Sequence, residues 1–298
     1  VIQDVVYNHF DPSAERAEWQ YDSTAPERNI YYWYERQSSD YSQADGGYLD
    51  NGSTGYSPRF WEEMVRAMFI SSAVAMAEEF HIDGFRVDLT MALHRDNRLH
   101  INGASIGNAN QLGAKLLREW CRTLQFIKPS IVLVAEDYSG WDAVTKRTSA
   151  GGLGFDAIWY ADFYHHLIGD AANCGPQYAR LINTVGAGGD EPLAMDYFAG
   201  ALQWSGHNNT VYHENHDEAG NDQGTKRTIV DAVNGAPLSD GIRRYAEARS
   251  RFACGMSLLS AGTPLFFMGE EVGAAKPFRV GDFLDNREDL PGLRQSTG

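Results

Sequence analysis

Gly84-Phe85-Arg86-Val87-Asp88-Leu89 is a run of strand length that carries charge at alternate positions. Residues two apart in a strand face the same way, so Arg86 and Asp88 are expected to point together. A carboxylate beside an arginine stays ionised at neutral pH and remains available as a nucleophile. Before this run, Trp61, Met64, Val65, Met68, Phe69, Ala73, Met76 and Phe80 recur at three- and four-residue intervals, which predicts an amphipathic helix over 58–80. After it, 107–126 reads as a helix and 130–135 as a short β-branched strand. Strand-length and helix-period stretches alternate, which predicts repeated β-α units and a parallel sheet.

Working outward, Val1 to Tyr7 reads as the first strand, with further strands at 155–159, 209–213 and 264–268 and helices over 178–184 and 242–259. Six strands can be counted, whereas a closed barrel of this type needs about eight. Between the first strand and the first helix runs a polar, aromatic excursion over 10–56. It contains the turn signal Asn51-Gly52 and the aromatic cluster Tyr31, Tyr32, Trp33 and Tyr34. Such a stretch exceeds the roughly 12–15 residues usual for an idle loop, so a small inserted subdomain is expected there.

Composition narrows the class. Of 298 residues 43% are hydrophobic, enough for a sizeable core, and the formal net charge of −15 argues against a phosphate backbone or an anionic membrane as partner. Cys121, Cys174 and Cys254 are scattered, odd in number and without metal-ligand spacing, which suits a reducing, cytoplasmic compartment. No run approaches the roughly 20 apolar residues of a membrane span. The chain opens on Val1, already inside a strand-like run, so upstream sequence is expected. The oligomeric state stays open.

Four polar clusters fall at the C-terminal ends of expected strands, where parallel α/β barrels place their active sites. They are Asp4, Asn8 and His9 in DVVYNH; Arg86 and Asp88 in GFRVD; Glu136 and Asp137 in VLVAED; and Asn215, His216 and Asp217 in ENHD. Each residue alone could be a strand-end cap or a buried ion pair. In this order and spacing the four clusters resemble the signature regions of the α-amylase family, at the ends of its third, fourth, fifth and seventh strands. The run Gly262 to Glu271, GTPLFFMGEE, resembles its eighth. The resemblance implies an α/β fold, a TIM (β/α)8 barrel that is incomplete (strands 3 to 8), spanning 1–298 with a subdomain-like excursion at 10–56. Two further strands and an aromatic residue that stacks on the cleaved sugar would precede Val1, and a β-sandwich would follow Gly298.

By that resemblance Asp88 is the nucleophile, Glu136 the general acid/base and Asp217 the stabiliser of the transition state. Arg86 positions Asp88, while His9, Asn215 and His216 contact the sugar. Trp159, after the sixth strand in FDAIWYADFYHH, is read as lining the acceptor side. The chemistry is coherent, because a retaining glycosidase needs one carboxylate to attack C1 and one carboxylic acid of raised pKa to protonate the leaving oxygen. No cofactor or metal is expected. Asn8 is the position that resembles a calcium ligand of many amylases, although the branch spelled here often lacks that ion.

The spellings are most similar to glycosyltrehalose trehalohydrolases and to branching-enzyme relatives, so an α-glucan or maltooligosaccharide substrate is implied. An α-amylase-type hydrolase or a disaccharide isomerase would use the same triad. A catalytically dead glucan-binding barrel would be expected to lack at least one of the three carboxylates, and all three are present.

Overall fold

The alternating run at Gly84 forms a parallel strand, and the chain on either side supplies its neighbours. In the computed structural model the described residues are 1–10, 34–35, 47–48, 56–58, 60, 62–94, 100–101, 104–105, 109–169, 181–186, 195–206, 208–221, 224–285 and 287–297. They divide into two units, Val1–Trp159 and Tyr160–Gly298.

The first unit holds strand β1 (Ile2–Val5), an antiparallel pair β2 (Tyr34–Glu35) and β3 (Gly47–Tyr48), and helix α1 (Glu63–Glu79). Strand β4 (Gly84–Val87), helix α2 (Met91–His94) and a second antiparallel pair, β5 (His100–Ile101) and β6 (Ala104–Ser105), follow. Helix α3 (Ala109–Ile127) then leads to strands β7 (Val132–Ala135) and β8 (Ala157–Trp159). Its sheet runs β1-β4-β7-β8, all parallel. Gly84 is small for a reason. A Cβ there would lie 2.3 Å from the Val132 carbonyl oxygen and 2.6 Å from Ile2 Cδ1, so only glycine lets both neighbours close in.

Helices α1 and α3 cover one side of this sheet. Trp120 packs edge-on against Phe85 (5.4 Å between centroids) and Tyr7 (5.9 Å), and Tyr7 meets Phe69 at 4.7 Å. The buried Arg66 ties the helices together through Glu119 (2.8 Å) and holds the Phe60 carbonyl (2.8 Å). Helix α1 ends where His81 turns left-handed (φ 56°), a conformation that takes the chain out of the helix. The helix is where the period predicted it, but its buried face is Val65, Phe69, Ala73 and Ala77. Met64 and Phe80, assigned inward by spacing, stand 80% and 73% exposed. The stretch is apolar nearly all round, so period alone could not orient it.

The second unit carries helices α4 (Ala161–Leu167), α5 (Leu181–Thr184) and α6 (Met195–Gln203), then strand β9 (Asn209–Val211). Helices α7 (Thr228–Asp231) and α8 (Asp240–Leu259), strand β10 (Thr263–Pro264) and helix α9 (Leu290–Thr297) complete it. Strands β9 and β10 are parallel. Phe163 of α4 stacks edge-on against Phe198 of α6 at 5.1 Å, inside a core that includes Leu181, Ile182 and Val211. The last strand is shorter than the expected 264–268. Leu265 still donates its N–H to the Val211 carbonyl (2.8 Å), but Phe266 and Met268 are about half exposed, at 48% and 52%.

Phe10 and Tyr56, at the two ends of the 10–56 excursion, exchange backbone hydrogen bonds of 2.9 Å. Apart from those ends and the β2–β3 pair, the excursion lies outside the described residues, as do Tyr31 to Trp33 and Cys174. Cys121 and Cys254 are both free thiols. Among the described residues no helix is long and apolar enough to cross a membrane.

Candidate active site

In the first unit the parallel register brings the charged residues together. Asp4 pairs with Arg86 across β1 and β4, and Arg86 with Val134 across β4 and β7. Just past the last rungs, Asp88 donates its N–H to the Val5 carbonyl and Glu136 donates its own to the Val87 carbonyl, both at 2.9 Å. The two acidic side chains therefore leave adjacent strand ends.

Arg86 is their common partner. Its Nη1 reaches Asp4 (2.8 and 3.1 Å) and Asp88 Oδ1 (2.9 Å), and its Nη2 reaches Glu136 Oε2 at 2.7 Å. The ring of Trp159 lies under the guanidinium, 4.1 Å from centroid to Cζ. Asn8 donates from Nδ2 to the other oxygen of Asp88 (2.9 Å) and to its carbonyl (3.0 Å). His9 stands beside it, with Nδ1 2.6 Å from Asn8 Oδ1. Leu89 has a positive φ of 38°, a strained setting for a branched residue, and its N–H donates to Glu136 Oε2 at 2.8 Å.

These contacts separate the two carboxyl groups chemically. Asp88 has a different partner on each oxygen, Arg86 on Oδ1 and Asn8 on Oδ2. Glu136 is buried, and burial raises its pKa from 4.5 to about 7; Arg86 opposes the rise and Asp88 adds to it. Glu136 Oε2 accepts two N–H groups, and its Oε1 accepts the Tyr138 hydroxyl at 2.9 Å. For Arg86, burial works to lower the pKa, but Glu136, Asp4 and Asp88 more than offset it and the pKa rises. His9 is lowered, first by burial and against the attraction of Asp88.

In the second unit Asn215, His216 and Asp217 sit on the loop after β9. Asn215 is buried, and its Oδ1 accepts the N–H groups of Asp217 and Glu218, both at 2.9 Å. Its oxygen therefore shapes the turn that presents Asp217. Asp217 takes a hydrogen bond from Asn221 Nδ2 (3.1 Å) and has His216 Nε2 at 3.4 Å. Two buried pairs brace this loop, Glu214 with Arg227 and His213 with Glu270, the latter at 3.0 Å. Arg227 also donates to the Met268 carbonyl at 2.9 Å.

His9, Arg86, Asp88, Glu136 and Trp159 thus cluster in the first unit. Trp159, read from the sequence as an acceptor-side surface, is only 5% exposed and covers Arg86. Sequence reasoning put Asp4 in a polar cluster without giving it a role, and missed Tyr138 altogether. The parallel register opposite Arg86 supplies the role of Asp4. For Tyr138 the signal was its place two residues after Glu136. Asn8, the position that resembles a calcium ligand, has its side-chain oxygen 2.6 Å from His9 Nδ1. Among the described residues no group of three or more His, Cys, Asp or Glu side chains is arranged to hold a metal.

No family model matches the chain. The 1,4-alpha-glucan branching enzyme GlgB of Bacillus cereus (strain AH820) is 27% identical over 221 residues, 74% of this chain and 30% of that protein. GlgB of Prochlorococcus marinus (strain MIT 9211) is 27% identical over 240 residues, 78% of this chain and 28% of its own length. The chain thus spans less than a third of the curated relatives it matches. Among solved structures, pullulanase from Anoxybacillus sp. LM18-11 in complex with maltotetraose superimposes with a TM-score of 0.63 at 19% identity, over 99% of this chain and 38% of that one. Trehalose-6-phosphate hydrolase of Bacillus licheniformis gives 0.59 at 18% identity, over 99% of this chain and 53% of that one. At these identities the structural likeness is one of fold, an α/β chain carrying part of a (β/α)8 barrel.

Proposed function

We propose that this chain, which belongs to the α-amylase family, carries the catalytic face of an enzyme that breaks or moves α-1,4- or α-1,6-glucosidic bonds with retention of configuration. The observation that supports this best is one buried guanidinium bridging two acidic side chains in unlike settings. Asp88 is held by Arg86 and Asn8, as a nucleophile must be. Glu136 is pushed up to about 7, so it carries a proton near neutrality, as a general acid must.

In the first step Asp88 attacks C1 of the sugar while the glycosidic C–O bond breaks. Glu136 gives its proton to the departing oxygen, leaving a glycosyl ester on Asp88. In the second, the Glu136 carboxylate takes a proton from the acceptor hydroxyl, whose oxygen attacks C1 and releases Asp88. Asp217 is assigned, from its sequence match, the electrostatic support of the positive charge that develops on the ring. His9 and His216 contact sugar hydroxyls.

The acceptor decides the reaction class. Water gives hydrolysis; a glucan hydroxyl gives branching or transfer. Both use the same carboxylates, so the choice lies in the surrounding loops. The two curated sequence relatives named above are branching enzymes, which favours transfer to a glucan hydroxyl over a trehalohydrolase, amylase or isomerase reaction. We read the enzyme as cytoplasmic, from its scattered cysteines, and as needing no metal or cofactor.

The test is product stereochemistry. With an α-linked maltooligosaccharide, proton NMR during the first turnovers should show the new reducing end, or the new glycosidic bond, as the α-anomer. The β-anomer appearing first would refute double displacement.

A further inference from the structure

Glu136 is anchored at both ends, and the backbone anchor belongs to groups outside the mechanism above. Its carbonyl oxygen accepts the Thr90 N–H at 2.8 Å and lies 2.9 Å from Thr90 Oγ1. The same hydroxyl is 2.7 Å from Asp137 Oδ2. Asp137 is buried, and its Oδ1 accepts the N–H (3.0 Å) and hydroxyl (2.5 Å) of Ser139. On its other oxygen sits His94 Nε2, at 2.5 Å, from the end of helix α2. Both side chains of this pair are 2% exposed, and the Trp141 ring packs on the imidazole at 5.1 Å.

The cluster joins two loops that sequence alone keeps apart. His94 and Thr90 follow β4, the strand that carries Asp88, while Asp137 and Ser139 follow β7, the strand that carries Glu136. A buried polar pair is weak evidence of stability, because desolvation cancels much of its attraction. It is directional, however, and an apolar pair of the same size would not fix the angle between the loops. Burial works to raise the pKa of Asp137, but hydrogen bonds from His94, Ser139 and Thr90 outweigh it and lower the value. The carboxylate therefore acts as an acceptor in this cluster, and His94 Nε2 must donate.

We propose that His94 and Asp137 are positioning residues for the general acid: through Thr90 they fix the Glu136 backbone, and so the aim of its carboxyl group, relative to Asp88. This rests on the assignment of Glu136 as the acid. A misaimed acid has a specific consequence. The first, bond-breaking step suffers where the leaving group needs a proton and is spared where the leaving group departs unaided, whereas the second step, in which Glu136 is the base, is common to both.

The experiment compares an unactivated maltooligosaccharide with α-glucosyl fluoride, whose fluoride leaves without protonation, in protein expressed from its complete open reading frame. Rates are compared as kcat/KM, which covers only the steps up to the glycosyl ester; Glu136→Gln is the reference and should lose roughly 10²–10⁴-fold on the oligosaccharide, far more than on the fluoride. His94→Ala should lose about 10–100-fold in kcat/KM on the oligosaccharide, a part of what a positioned acid contributes, with kcat/KM on the fluoride within about threefold. His94→Gln, which keeps a donor for Asp137, should recover much of that loss. If His94→Ala does not fold, His94→Gln and Asp137→Asn carry the comparison. Equal losses on both substrates, or no loss on either, would overturn the positioning role. A Glu136→Gln variant that loses both substrates equally would instead overturn the acid assignment beneath it.

Discussion

Arg86→Ala is the most informative single change, because one side chain holds Asp4, Asp88 and Glu136 and covers the ring of Trp159. Removing one partner of a buried ion pair costs about 3–5 kcal/mol, since the other charge is left in a poor medium. Loss of the cation–π contact adds about 0.5–2 kcal/mol. Protonation of Glu136 offsets part of this, so a net loss of about 3–5 kcal/mol is expected. At about 2–4 °C per kcal/mol for a domain of this order, the melting temperature should fall by roughly 6–20 °C. The pH dependence should move in a defined direction. Arg86 opposes the raised pKa of Glu136, so its removal drives that pKa up from about 7. An opposite charge this close is worth about 1–3 units, so the basic limb of kcat/KM should shift upward by that order even as the rate falls. Where turnover is too slow to read, the carboxyl 13C shift of Glu136 reports the same titration. Arg86→Lys should repair less than half of the stability loss, because an ammonium cannot fork between Asp88 and Glu136 as the guanidinium does. A melting temperature within about 2 °C of the parent, against the several degrees expected, or a basic limb moving down, would refute the reasoning.

Other expectations concern packing and titration. Gly113 of α3 has the Leu93 carbonyl oxygen 1.9 Å from where a Cβ would stand, so Gly113→Ala must push α3 from helix α2, which carries His94. A cost of about 1–3 kcal/mol in urea unfolding is expected, and a neutral result would contradict that close approach. Glu136 and Glu214 are each raised from 4.5 to about 7, by burial first, so the folded state binds their protons more tightly than the unfolded state does. With more protons bound when folded, their contribution to stability is fully present below pH 4.5 and is lost as pH rises to about 7. Glu136→Gln should remove its share, on the order of a few kcal/mol, and flatten denaturation midpoints across that window. An unchanged slope would count against the buried, protonated acid.

Much of this was legible in the sequence, for physical reasons that differ between elements. The Arg86–Asp88 pair followed from the two-residue period of a strand, and the two side chains do meet at 2.9 Å. Helix α3 was visible in its apolar period. Helices α2, α4, α6, α7 and α9 were not foreseen, because each is nine residues or fewer and too short to show a period. Strand ends were overextended at 264–268, where apolar residues continue past the last rung into an exposed segment. The His94–Asp137 pair had no signal at all. The residues are 43 apart, and only the pairing of β4 with β7 brings them together. Asn215 and Trp159 were read as sugar contacts from their places in motifs, and the structure adds a local role for each: Asn215 accepts the N–H groups of a turn, and the Trp159 ring lies against Arg86.

The central claim is that Asp88 becomes covalently bonded to the sugar. A fluorinated α-glucosyl fluoride, which forms the glycosyl ester faster than it is hydrolysed, should trap that state in protein expressed from its complete open reading frame. Peptide mass spectrometry after brief incubation should find one added glycosyl group on the peptide containing Asp88, absent from Asp88→Asn. Stoichiometric label on a different residue, or substrate turnover with no labelled peptide at any time, would contradict the account.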